Sequence, residues 1–228
     1  GFNRWMLGGE KLEAGGTYGS QVMENIFFKI LGPVVIHAQS AIEAAQALHA
    51  KVKGRWDDIA RIDIETHVRT METIDKKGPL RNAADRDHCL QYAVAIMLLN
   101  GELKPSDYED DVAANPGIDK LRALMTVKEN PQFTKRFLDP VERANPAAME
   151  IHFRDGTSTG RAEVIFPVGQ VQRRADGLPL LVAKFRKHLA TVFEAGRQRQ
   201  ILELCLDHER LLATPVDEFM ELMAMAEG

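Results

Sequence analysis

The sequence predicts an α+β fold with a small sheet, and three observations carry that reading. Residues 59–68, "IARIDIETHV", alternate apolar and polar positions and read as a strand. Residues 149–166, "MEIHFRDGTSTGRAEVIF", hold two alternating runs around Asp155-Gly156, a pair suited to a tight turn with positive φ, and read as a β-hairpin. The other patterned stretches are helical and segregated from these strands.

Taken in order, residues 1–28 offer a short amphipathic segment, the Gly-rich turn "EAGGTYGS" and then "QVMENIFFKI", with no domain of their own. "SAIE", Ser40 to Glu43, is a capping box: the Ser hydroxyl accepts from a backbone N–H three residues on while the Glu reaches back. It predicts a helix with Ile42, Ala45, Leu48 and Val52 inward and Gly54 at its end. After the strand, "DKKGPLRNAAD" is a polar loop in which Asn82 caps one long helix, with Asp85 near N3 and Asn100-Gly101 closing it. Residues 105–125 offer two short helices, the second after Asn115-Pro116 with Ile118, Leu121 and Leu124 inward. Beyond the hairpin, "GLPLLVAKFRKHLATVF" is an amphipathic helix, and further helices are predicted near 196–212 and 215–225. A boundary falls near Glu194 to Arg197, after which the chain is entirely helical.

The 228 residues are 45% hydrophobic and 27% charged, enough to bury a real core. A net charge of -4 without a Lys/Arg block argues against nucleic acid as a partner. Cys89 and Cys205 lie in apolar helical patterns, which favours buried thiols over a disulfide, and two cysteines are too few to hold an iron–sulfur cluster alone. No apolar run approaches the roughly 20 residues of a membrane span. No signal peptide opens the chain, and "GFNRWMLGGEKLE" reads as a start within a longer protein.

There is no phosphate-binding loop, dinucleotide fingerprint, HExxH, CxxC pair or GxSxG elbow. Any site must then be built from histidines, lysines, arginines and carboxylates. Lys29 follows two Phe residues, where desolvation would shift an ammonium toward acid–base use, against the plainer reading of a snorkelling lysine. His37 and Gln39 precede the capped helix, where free N–H groups favour a carboxylate, against a turn that merely satisfies the helix end. His67 ends the predicted strand. His88 and Tyr92 share a helix face, with Asp85 and Gln91 each three residues from His88 and able to orient it. Near a helix N-terminus a histidine is biased toward its neutral form. The alternative is a well-capped acidic first turn with Tyr92 in the core. Arg173 and Arg174 could clamp carboxylates bidentately, or be solvated loop cations.

Four segments, "YGSQVMENIFFKI", "IDKKGPLRNAADRDHCLQYAVAIMLLNGEL", "DYEDDVA" and "PVGQVQRRADGLPLLVAKF", together resemble the C-terminal part of the MmgE/PrpD family, and within it the methylcitrate dehydratases. The resemblance runs from about Gly1 to the last helix. It implies a large helical domain, mostly preceding this chain, and a smaller α+β lid domain with a small sheet, the active site lying in the cleft between them. Residues 1–28 would then be the end of the helical domain and a linker, 29–195 the lid, and 196–228 helices returning to the helical domain. Lys29 and His37 match the family's lysine and histidine after "MEN", and "DRDHC" matches Asp85 to Cys89. His67 matches a histidine after the lid strand. The chain departs from the usual pattern at "ILGPVVIHAQS", where an aromatic residue before Pro33 and an acidic one after it are more typical.

The resemblance implies loss of water from 2-methylcitrate to give 2-methyl-cis-aconitate, in propionate catabolism, without metal or other cofactor. A base removes a proton beside a carboxylate while an acid protonates the departing hydroxyl. Lys29, His37, His88 and His67 are the candidate catalytic groups, with Gln39, Asp87, Tyr92, Arg173 and Arg174 for substrate binding. A homodimer in the cytoplasm, or in the mitochondrial matrix of a eukaryote, is implied, with the preceding helical domain completing the site. Two other functions compete: a non-catalytic lid or dimerisation fragment, and decarboxylation of cis-aconitate or hydration of a related tricarboxylate.

Overall fold

The computed structural model describes residues 2–11 and 25–224. A short helix, α1 (Phe2–Met6), opens the chain. The Gly-rich turn and the start of "QVMENIFFKI" lie outside the described residues. From Asn25 onward the chain is α+β, as its patterning predicts.

Four strands form the sheet in the order β2-β1-β3-β4. These are β1 (Ile59–Thr66), β2 (Met125–Glu129), β3 (Ala147–Phe153) and β4 (Ala162–Val164). β1 is central: it runs parallel to β2, with Thr66 opposite Glu129, and antiparallel to β3, with Thr66 opposite Ala147. The hairpin forms as expected, since Gly156 takes φ +84 and Phe153 N–H donates to Thr157 O at 2.9 Å. β2 had no counterpart in the sequence reading, because it is a five-residue edge strand with Val127 alone buried.

Helix α2 (Gln39–Val52) buries Ile42, Ala45, Leu48 and Val52, the four positions its spacing predicts. Its capping box does not form. The helix begins two residues earlier behind a tight turn, Ile36–Ala38, and neither Ser40 nor Glu43 caps it. The Ser40 hydroxyl instead donates to the Asn145 carbonyl, and the Glu43 carboxylate accepts from Val168 N–H at 2.7 Å. Distant backbone that would otherwise be orphaned wins over the local cap.

The predicted long helix from Asn82 is two helices. After α3 (Val68–Ile74) comes α4 (Ala83–Asp87), capped by Asn82 accepting from Asp85 N–H at 2.9 Å, and then α5 (Leu90–Asn100). Between them His88 closes α4, and Cys89 is extended at φ -122, ψ 112. The break joins two unlike bodies. α4 is pinned by the buried Arg86 guanidinium, which donates to Tyr108 O at 2.6 Å, whereas α5 is buried on every side from Leu90 to Leu98.

Short helices α6 (Asp110–Ala113) and α7 (Pro116–Ala123) follow, with Ile118 and Leu121 buried, and α8 (Pro131–Leu138) leads into β3. Helix α9 (Arg174–Leu189) starts three residues before its predicted Gly177. Glu194 then caps α10 (Ala195–Leu206), accepting from Gly196 and Arg197 N–H, and α11 (His208–Ala213) and α12 (Val216–Met223) end the described chain. From Ala195 to Met223 every described element is a helix, as expected.

One backbone crossing decides where residues 25–30 lie. Phe28 N–H donates to Gly169 O at 3.0 Å, and Gly169 sits at φ +103 with no room for a side chain: a Cβ there would lie 2.0 Å from Phe28 O. Gly169→Ala is therefore expected to destabilise the protein by about 2–4 kcal/mol, read as a lower urea midpoint. An unchanged midpoint would show that this crossing is loose in solution.

Candidate active site

The carboxyl end of β1 is where the sheet meets its loops, and a cleft of about 440 Å³ opens there. Its walls include Asn25 and Phe27, His37, Phe137 at the end of α8, Arg143 and Asn145 from the loop before β3, and Gln170. Asn145 organises the wall. Its side-chain NH2 donates to Ile36 O at 2.8 Å, its Oδ1 lies 2.8 Å from His67 Nε2, and its carbonyl accepts from Ser40.

Because the NH2 of Asn145 is committed to Ile36 O, its Oδ1 must face His67, so His67 Nε2 carries the proton. His67 Nδ1 is then a bare lone pair, buried and without a hydrogen-bond partner. The ring is wholly buried, stacks on Phe137 with centroids 3.9 Å apart, and touches the Thr70 hydroxyl at 3.0 Å. Burial pushes its pKa down to about 4; the Asn145 bond opposes this and the nearby His37 adds to it.

His37 stands between this buried layer and the cleft, half-buried, its ring 5.5 Å from that of His67 and 5.7 Å from that of Phe137. Burial, followed by the charge of Arg69, holds its pKa below the ordinary 6.5. A neutral imidazole at a cleft wall can accept a proton at pH 7.

The MmgE/PrpD C-terminal domain matches residues 33–208. The chain belongs to the MmgE/PrpD family. It is 44% identical over 225 residues to the 2-methylcitrate dehydratase of Salmonella typhimurium, covering 97% of this chain and 47% of that protein. Against the 2-methylcitrate dehydratase of Cupriavidus necator it is 45% identical over 228 residues, 99% of this chain and 47% of the other. Against the mitochondrial 2-methylcitrate dehydratase of Yarrowia lipolytica it is 43% identical over 225 residues, 97% of this chain and 43% of the other. The chain spans about half the length of the curated relatives it matches. Among its described residues no helix is long and apolar enough to cross a membrane.

Of the residues singled out in this MmgE/PrpD sequence, His37 and His67 are brought together, and the others stand apart from the cleft. Lys29 is exposed two residues beyond Phe27, and its carbonyl accepts from Lys184, whose pKa is pushed down by burial and by the Lys29 charge. His88 is exposed and pairs with Asp87; the Asp87 carbonyl lies 3.5 Å from Val35 N, which sets the end of α4 beside the His37 loop. The helix break removes the premises that made His88 attractive, since it neither begins a long helix nor shares an unbroken face with Tyr92.

Four residues expected as substrate contacts have partners within the chain. Gln39 is buried and donates to Gly32 O and Val34 O, so its amide shapes the loop ahead of α2. Tyr92 is buried with its hydroxyl on Asp107 O and its pKa pushed up to about 12 by burial. Arg173 pairs with Glu43 and Asp176, and Arg174 donates to Ile26 O at 2.8 Å while lying 4.4 Å over the Phe28 ring. Sequence reasoning passed over Phe137, Arg143, Asn145 and Gln170. The signal it could have used was the pair of Asp139-Pro140 and Asn145-Pro146, which brackets a short loop before a strand.

A second groove of about 480 Å³, lined by Lys76, Lys77, Gln91 and Arg122 among others, contains no histidine. Its cations are already matched: Lys76 with Asp85, Lys77 with Asp75 and Arg122 with Asp119. No group of three or more His, Cys, Asp and Glu among the described residues is placed to hold a metal ion.

The buried His67 sets a pH dependence of stability. Its folded pKa of about 4 lies below the ordinary 6.5, so its contribution is complete above pH 6.5 and is lost as pH falls from 6.5 toward 4, where the unfolded chain takes the proton first. Unfolding free energy should fall by up to about 3 kcal/mol over that window. His67→Gln should flatten this slope, as read from urea midpoints at pH 7 and pH 5. An equally steep slope in the variant would assign it to other groups.

Proposed function

We propose that this chain is the C-terminal half of a 2-methylcitrate dehydratase, a hydro-lyase that converts 2-methylcitrate to 2-methyl-cis-aconitate and water. The observation that carries the reading is His37, a histidine held neutral at the wall of a cleft, in a chain 44% identical over nearly its whole length to a 2-methylcitrate dehydratase. In this reading His37 removes the proton next to a substrate carboxylate, the C–O bond breaks, and the hydroxyl leaves as water after protonation by a second group. Lys29 and His88, both exposed and outside the cleft lining, are the candidates for that acid or for carboxylate binding. His67 supports His37 from behind: with its Nε2–H fixed on Asn145, it presents no charge to compete with the proton arriving at His37.

The segment that the relatives carry ahead of this chain completes the other wall of the cleft. The enzyme is proposed to be a homodimer, working in the cytoplasm or, in a eukaryote, in the mitochondrial matrix. Relatives with bacterial and mitochondrial names are consistent with either compartment.

In a polypeptide of the relatives' full length, His37→Gln should lower kcat by about 10²–10⁴-fold with an unchanged melting temperature. The acid limb of kcat/KM should have its midpoint below pH 6.5, because the neutral form is the active one and its pKa is lowered. Product mass distinguishes loss of water from loss of carbon dioxide. Lys29→Ala and His88→Ala should each lower kcat strongly, and near-normal turnover in both would remove them from the mechanism.

A further inference from the structure

Arg143 has a backbone that its residue type does not favour. It takes φ +48, the one positive φ among the described residues other than glycine. Such a conformation persists where the surroundings over-determine it, and it collects at ligand sites. Here the Arg143 N–H donates to Asp139 O at 2.9 Å and its carbonyl accepts from Gln170 Nε2 at 2.6 Å. Held at both ends, the residue contributes to the lining of the cleft that also contains His37.

Its charge is not answered within the loop. Asp139 Oδ1 accepts from Val141 N–H at 2.8 Å and Glu142 N–H at 2.9 Å, which keeps that carboxylate on its own backbone. Glu142 accepts from Arg136 Nε at 2.6 Å. Arg143 forms no ion pair among the described residues, whereas Arg136 and Arg173, which flank the same loop and Gln170, both do. Gln170 adds the complementary feature. Its NH2 is turned to the Arg143 carbonyl, and its Oε1 is left buried without a hydrogen-bond partner. One unit therefore offers a guanidinium fork without an acid and an amide oxygen without a donor, on a wall shared with a neutral histidine.

We infer that Arg143 and Gln170 together recognise a hydroxy acid, the guanidinium gripping a carboxylate and Gln170 Oε1 accepting from the hydroxyl. This deepens the dehydratase reading and rests on it for the identity of the acid. A guanidinium holds a carboxylate by two parallel bonds, which an ammonium cannot reproduce. The grip exists before and during reaction alike, so its loss appears in KM more than in kcat.

The test uses the complete enzyme with Arg143→Gly, Arg143→Lys and Gln170→Leu. Glycine suits the positive φ, so Arg143→Gly should keep or raise the melting temperature while removing the guanidinium. Its KM for 2-methylcitrate should rise about 100-fold, with partial recovery in Arg143→Lys and on adding methylguanidinium. Calorimetric titration with citrate and with tricarballylate, which lacks the hydroxyl, separates the two contacts. The wild-type protein should favour citrate by about tenfold, a preference that Gln170→Leu abolishes, while Arg143→Gly weakens both ligands together. If the wild type binds citrate but does not dehydrate 2-methylcitrate, the dehydratase reading fails and the titrations still decide the role of Arg143. Affinity of Arg143→Gly within about twofold of wild type, or no binding of either acid by the wild type, overturns the inference.

Discussion

The site depends on the side chain and carbonyl of Asn145. Its three polar groups hold three separate pieces of chain: Ile36 in the loop before α2, His67 at the end of β1, and Ser40 in the first turn of α2. None of these pieces is close to Asn145 in sequence, and none would hold its position by local propensity alone. A buried amide with every group committed is costly to disturb, because each broken bond leaves a partner unpaired away from water. That cost is what converts a strand end, a helix start and an irregular loop into one fixed wall.

The charge state of the site follows from the same tie. By committing its NH2 elsewhere, Asn145 selects the tautomer of His67, and burial between Thr70 and Phe137 keeps that ring neutral. His37 inherits a neighbour that does not carry charge at ordinary pH and a surface that is only partly wet. A histidine in such a position loses hydration without gaining an anion, and its proton affinity falls. The His37 carbonyl lies 3.4 Å from the Thr70 hydroxyl, which ties its backbone to the same buried layer.

How much of this was legible in the sequence depends on the range of the interaction. Periodicity found β1, the hairpin, the inward face of α2 and the C-terminal helices, because each repeats an apolar pattern over several turns or residue pairs. Asn82 was read correctly as a cap since the bond it makes closes within three residues. Ser40 and Glu43 carried an equally good local signature and were misread, because their partners lie more than a hundred residues away. The break at His88-Cys89 was hidden for a related reason: it reconciles the anchoring of Arg86 with the burial of α5, and neither is written in a window of a few residues. At the site, histidines drew attention by chemistry. Asn145, Gln170 and Arg143 did not, because their importance lies in which groups they leave unpaired once folded.

Helix α5 has a consequence beyond the finished fold. From Leu90 to Leu98 it has no solvent-facing side, and its cover comes from α2, made earlier in the chain, and α7, made later. During synthesis this oily rod leaves the ribosome with one wall already present and the other still unmade. Until residues 116–123 follow, it is an exposed sticky surface, and this is the interval in which a holding chaperone would have most to do.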